Sequence, residues 1–137
     1  MESTFITDVI IAQDEAVFAF RDGAIVYLRG DISDRAYVIK RGCVEVRQKG
    51  RAVETMHAGE IFGEMCLIDG GPRTATALAC GDLEVIAIDR SRFLALVRDD
   101  EDFAVAIMRL LVRRHRATIE LFEHCLQSIR SSDALAA

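Results

Sequence analysis

The chain has 137 residues, about half of them apolar, enough for one domain with a single core. Its 17 basic and 22 acidic residues leave a formal charge of −5, the wrong sign for a protein that coats phosphate backbones, so direct nucleic-acid binding is not expected. The longest apolar runs, such as Val9–Ala12 and Leu83–Ile88, fall far short of the roughly 20 residues needed to span a bilayer. Met1-Glu-Ser-Thr4 carries no basic leader, and the expectation is a soluble, cytoplasmic protein that makes no membrane contact.

Through the first two-thirds of the chain, glycines at 23, 30, 42, 50, 59, 70, 71 and 81 set a turn cadence of about 8–12 residues. Between them lie β-branched or alternating segments: Ala24–Leu28, Ala36–Ile39, Cys43–Arg47, Ala52–His57, Thr74–Ala79 and Leu83–Ile88. The cadence predicts about eight short strands in a jelly-roll-like β-roll over about 17–89. Cys43, Cys66, Cys80 and Cys125 form no C-x-x-C pair and read as small buried hydrophobes or free thiols.

Beyond Gly81 there is neither glycine nor proline, and the apolar period lengthens to between three and four, which predicts helices over about 90–130. Asp89 or Ser91 can cap a short first helix, and Asp99 or Asp100 a long second one running from about Glu101 to about Ile129. Met108, Leu111, His115, Thr118, Phe122, Cys125 and Ile129 recur at steps of three and four, a heptad-like stripe. It can pack on the chain's own barrel or form a homodimer seam, with Ile107, Leu110 and Leu121 as a second apolar face for the barrel. Ser131–Ala137 reads as a frayed tail, although its closing Leu135-Ala-Ala137 resembles the end of a bacterial proteolysis tag.

The chemistry concentrates in Gly59-Glu-Ile-Phe-Gly-Glu-Met-Cys-Leu-Ile-Asp-Gly-Gly-Pro-Arg-Thr-Ala-Thr-Ala77. Gly63 lacks a Cβ and admits a ligand close to the backbone, and the helical turn starting at Glu64 aims N–H groups outward. Arg73, expected to lead a strand after Pro72, can offer two parallel N–H donors to a phosphate. Glu64 beside that anion makes sense only if its carboxylate accepts from a neutral donor such as a ribose hydroxyl.

Phe62-Gly63-Glu64-Met-Cys-Leu followed by Pro72-Arg73-Thr74-Ala75-Thr76 resembles the phosphate-binding cassette of cyclic nucleotide-binding domains. Phe20-Arg-Asp-Gly23, Leu28-Arg-Gly30-Asp31, Tyr37-Val-Ile39 and Gly42-Cys-Val44-Glu-Val46 are similar to that family's strand-and-turn pattern. The resemblance covers roughly Val17 to Ile129 and implies a β-roll followed by two helices. It implies that Gly63 and Glu64 hold the ribose 2′-hydroxyl, Arg73 the cyclic phosphate, and the backbone at Thr74 and Ala75 the remaining phosphate oxygen. Phe62, Met65 and Cys66 complete the cassette part of the candidate ligand-binding set.

Thr74 stands where family members with threonine often accept guanine, so cyclic GMP stays open beside cyclic AMP. Arg113-Arg114-His-Arg-Ala-Thr118 resembles the segment of the family's lid helix that touches the purine, which makes Thr118 the lid candidate. The resemblance also implies that the chain stops where the catabolite activator group begins its helix-turn-helix, and that the helix preceding the roll is reduced, so transcription factor activity is not expected.

Each feature has a plainer reading. Arg73 could pair with Asp69 or Glu64 on the surface, Glu64 could simply complement a helix terminus, and Arg109, Arg113, Arg114 and Arg116 could be a solvated face paired with Glu120 and Glu123. His57, His115 and His124 fall on different elements, without the spacing of a cupin-type metal site. No nucleophile–base arrangement, P-loop or dinucleotide fingerprint is present. The leading expectation is a non-catalytic cyclic nucleotide sensor, binding no metal and signalling to an effector protein. The alternatives are an interaction module that binds no nucleotide and, last, a cupin-like metalloenzyme.

Overall fold

The computed structural model describes residues 17–136, with side chains to Ser131. The apolar run Val9–Ala12, the segment Met1–Thr4 and Ala137 lie outside the described residues. The strands are β1 (Val17–Phe20), β2 (Ile25–Tyr27), β3 (Arg35–Gln48), β4 (Arg51–His57), β5 (Ile61–Phe62) and β6 (Thr76–Asp89). The helices are α1 (Met65–Asp69), α2 (Arg90–Asp99) and α3 (Glu101–Ala136). The sheet is antiparallel, ordered β1-β6-β3-β4, with β2 also on β6 and β5 also on β3.

The architecture is the expected β-roll followed by a short and a long helix, with six continuous strands among the described residues in place of about eight. The difference lies at two bends. β3 joins the expected segments Ala36–Ile39 and Cys43–Arg47, and β6 joins most of Thr74–Ala79 to Leu83–Ile88. Gly42 (φ 99°) and Gly81 (φ 79°) turn these strands without ending them, and the β3–β6 register shifts on both sides of Arg41. At Gly42 a Cβ would meet the Asp82 carbonyl oxygen at 2.4 Å. β1 and β5, at four and two residues, are too short for alternation to mark them.

Adjacent strand residues serve two cores because successive side chains point to opposite faces. Ile39, Phe62 and Val85 fill the roll interior with Val44, Met56, Ala77, Ala79 and Leu83. Their neighbours Val38, Ile61 and Ile86 face the helices and bury Phe93, Leu96, Phe103, Ala106, Ile107 and Leu110. Each such large side chain contributes about 1.5–3 kcal/mol by leaving water, so the first three turns of α3 are anchored.

Of the alternative caps, Asp89 accepts from the Arg92 N–H at 2.8 Å and Asp100 from the Phe103 N–H at 3.0 Å. α3 runs on to Ala136, so the expected fraying from Ser131 is replaced by continued helix. Ile107 and Leu110 face the roll as expected, whereas Leu121 is 60% exposed and lines the open cleft between α3 and the roll. Leu111 of the expected seam instead packs partly against the helix-facing core. The apolar residues left outside are Val105, Met108, Val112, Ile119, Phe122 and Ile129, each at least 42% exposed.

Candidate functional site

The segment after β5 builds one side of a cleft of about 360 Å³ whose other side is α3. Gly63 adopts φ 76°, and a Cβ there would meet Arg73 Nη1 at 2.5 Å; glycine is what lets the turn close over the arginine. α1 follows for five residues and stops at Gly70 (φ 72°), whose N–H donates to the Cys66 carbonyl. Gly-Gly-Pro then returns the chain to Arg73.

Arg73 precedes β6, which starts only at Thr76, so it does not lead the strand as expected. It is held instead by the turn at 30–31: its N–H donates to the Asp31 carbonyl at 2.9 Å and its carbonyl accepts from the Gly30 N–H at 2.8 Å. Its side chain is buried. Nη1 donates to the Gly63 carbonyl (2.9 Å) and the Cys66 thiol (3.1 Å), and Nη2 to Ser33 Oγ (3.0 Å) and the Arg35 carbonyl (2.6 Å). Nε is buried with no partner. A charge this deep must be solvated by the protein itself, which is why the surface pairing with Asp69 or Glu64 does not form and why the two terminal nitrogens do not stand free as a fork.

The Tyr27 ring lies under this guanidinium, with Cζ 4.0 Å from the ring centroid, a cation–π contact. Tyr37 stacks on both Tyr27 and Phe62, at centroid distances of 6.3 and 5.4 Å, and Tyr27 lies tilted to Phe62 at 6.0 Å. Burial pushes the Tyr27 hydroxyl up to about 12 against the lowering pull of Arg73, so the ring stays neutral beneath the cation. Burial likewise raises the Cys66 thiol, again opposed by Arg73.

Glu64 is only 4% exposed and makes no capping bond to α1. Its Oε1 accepts from Arg114 Nη1 of α3, and Arg114 Nη2 also donates to the Ile61 carbonyl. Arg114 is therefore not part of a solvated basic face; it ties α3 to the cassette. The signal was spacing: Leu110, Arg114, Thr118 and Leu121 share one helix face, and Leu110 is buried.

All nine candidate residues line this one cleft: Phe62, Gly63, Glu64, Met65, Cys66, Arg73, Thr74, Ala75 and Thr118. Phe62, Cys66 and Ala75 are buried supports, Met65 is half exposed, and Thr74 is exposed at the rim. The Thr118 hydroxyl donates to the Arg114 carbonyl at 3.0 Å. Tyr27, Gln48, Arg114 and Leu121 join them without having been singled out for the cleft from sequence. Among the described residues no group of three or more His, Cys, Asp or Glu side chains is gathered for a metal ion, and no helix is long and apolar enough to cross a membrane.

Fold and cleft together define a β-roll whose cassette and C-terminal helix flank one cleft. The chain belongs to the cyclic nucleotide-binding domain family, whose description matches residues 17–100. It is 34% identical over 108 residues to the cyclic AMP receptor protein of Thermus thermophilus, covering 74% of this chain and 50% of that protein. The crystal structure of the Thermus thermophilus catabolite activator protein superposes with a TM-score of 0.74 at 32% identity, over 85% of this chain and 57% of that one. The EAL enzyme Bd1971, solved in cAMP-bound and cGMP-bound forms, is 28% identical with TM-scores of 0.59 and 0.60, over 77% of this chain and 30% and 29% of those chains. The chain thus spans about half the length of the curated relative it matches.

Proposed function

We propose that the chain is a non-catalytic receptor for a cyclic nucleotide monophosphate, cyclic AMP or cyclic GMP, and passes its occupancy to a partner through α3. The observation that carries this is the convergence of Gly63, Glu64, Arg73, Thr74 and Thr118 on one cleft, at the size usual for small-molecule sites, with a buried guanidinium N–H left unpartnered. In this reading Arg73 offers Nε–H to the cyclic phosphate and releases Cys66, a weak acceptor, to supply a second donor. The backbone at Thr74 and Ala75 takes another phosphate oxygen. Glu64 keeps lone pairs for the ribose 2′-hydroxyl, and Thr118 meets the base.

Both cyclic nucleotides stay in the proposal, supported by the two ligand forms of Bd1971, by the name of the Thermus relative and by the Thr74 hydroxyl at the rim. The setting proposed is cytoplasmic. The test is calorimetry with cyclic AMP, cyclic GMP and 5′-AMP. Saturable binding of one or both cyclic forms, at least tenfold tighter than 5′-AMP, is the expected result. No heat from either cyclic form would leave the interaction module that binds no nucleotide.

The proposed partner of α3 is a second copy of the chain. Val105, Met108, Val112, His115, Ile119, Phe122, Leu126 and Ile129 recur at unbroken steps of three and four, and six of them are exposed apolar residues. A 3.5-residue repeat suits packing on a like helix. This seam shares Met108, His115, Phe122 and Ile129 with the stripe read from sequence but replaces Leu111 and Cys125, and it leaves Thr118 to the cleft. Light scattering over a dilution series should give a dimer that Phe122→Glu dissociates; a monomer at every concentration would refute the seam.

A further inference from the structure

Cys43 of β3 and Cys80 of β6 are Cα partners across the antiparallel ladder. The adjoining pair, Val44 and Ala79, is buried in the roll, so the two cysteines project from the opposite, outer face. Cys80 is exposed and Cys43 intermediate, and both are free thiols. Burial, followed by the neighbouring Cys80, pushes the Cys43 thiol up. Residues facing each other in an antiparallel pair have Cα atoms about 4.5 or 5.5 Å apart, and both spacings fall inside the roughly 4.4–6.8 Å that a disulfide spans. Gly42 and Gly81, each next to one of these cysteines and each at positive φ, mark the bends where β3 and β6 depart from regular pleating.

We propose that Cys43 and Cys80 are a modification site, a reversible dithiol–disulfide pair that takes low-molecular-weight disulfides of the glutathione disulfide class as oxidant. The exposed Cys80 thiolate attacks one sulfur of the small disulfide, forming a mixed disulfide and expelling one small thiolate. Cys43, as thiolate, then attacks the Cys80 sulfur, closing the Cys43–Cys80 bond and expelling the second small thiolate. The two protons lost by the protein thiols end on the two small thiols, so two protein thiols are oxidised and one small disulfide is reduced. The new bond staples the two strands that lead to the cleft, through Val46 and Gln48 on β3 and through Thr74 and Ala75 just before β6.

The other two cysteines serve as internal controls. Cys66 is buried and donates to the Gly63 carbonyl. Cys125 is exposed on α3, where within one chain a mixed disulfide meets no second thiol. The experiment incubates the full chain with reduced and oxidised glutathione at graded ratios, quenches by alkylation, and maps tryptic peptides by mass spectrometry. The expected result is a cross-linked pair of peptides, 42–47 with 74–90, appearing at ratios where Cys125 carries only a glutathione adduct, and disappearing on return to a reducing ratio. The thermal midpoint should rise with the cross-linked fraction. Cys43→Ser should leave Cys80 as an unresolved glutathione adduct. The proposal is overturned if wild-type Cys80 accumulates that adduct beside a free Cys43, if both thiols are alkylated at every ratio, or if the links found join two chains.

Discussion

Glu64 and Arg114 offer the sharpest test of how the helix is held to the cassette. The carboxylate side chain is 5% exposed and the arginine 25%, so Arg114→Met leaves a charge facing a cleft that admits some water. A hydrogen bond to a charged group contributes about 1.5–3 kcal/mol, whereas stranding a fully buried charge costs about 3–5 kcal/mol. Partial access to water favours the lower range. With roughly 4 °C per kcal/mol for a domain of this size, the ligand-free midpoint should fall by about 6–12 °C. Glu64→Gln should cost less, because Arg114 can turn to solvent and keep the Ile61 carbonyl. The double variant should lie above the sum of the two losses by about 1 kcal/mol or more, the coupling expected of groups in contact. Calorimetric melts of the four proteins provide the cycle. Additive losses, or an Arg114→Met midpoint within about 1 °C of wild type, would refute the latch and return Arg114 to the solvated face.

Arg73→Lys should keep the charge but lose the planar fork, weakening cyclic nucleotide binding at least tenfold by calorimetry; Arg73→Ala should in addition lower the melting midpoint, since its four hydrogen bonds and ring contact hold the cassette. Thr74→Ala, at an exposed position, should leave the melt unchanged and weaken cyclic GMP more than cyclic AMP; equal losses by calorimetry would remove Thr74 from base selection. Tyr27 ionises near 10.0 when unfolded and near 12 in the fold, so the unfolded chain releases the proton first as pH rises. Stability should therefore be intact below about pH 10 and fall by up to about 3 kcal/mol towards pH 12; urea melts should show the loss reduced in Tyr27→Phe.

The local rules were legible without coordinates. Turn glycines at fixed intervals, alternation in Ala36–Ile39 and Leu83–Ile88, and the change of period after Gly81 are properties of neighbours in the chain, so the roll and its two helices followed from them. The cassette was legible for the same reason: Gly63, Glu64, Arg73 and Thr74 lie within twelve residues of one another. What α3 does with its faces was not. A helix offers several stripes at steps of three and four, and only docking on the roll decides that Leu110 and Leu111 turn inward, Arg114 and Thr118 face the cleft, and Val112 and Ile119 stay outside. The partners of Arg73 were equally hidden, because Ser33 and Arg35 reach it across 40 and 38 residues. So was the pairing of Cys43 with Cys80, since the register of two strands is a property of the sheet and not of either strand alone.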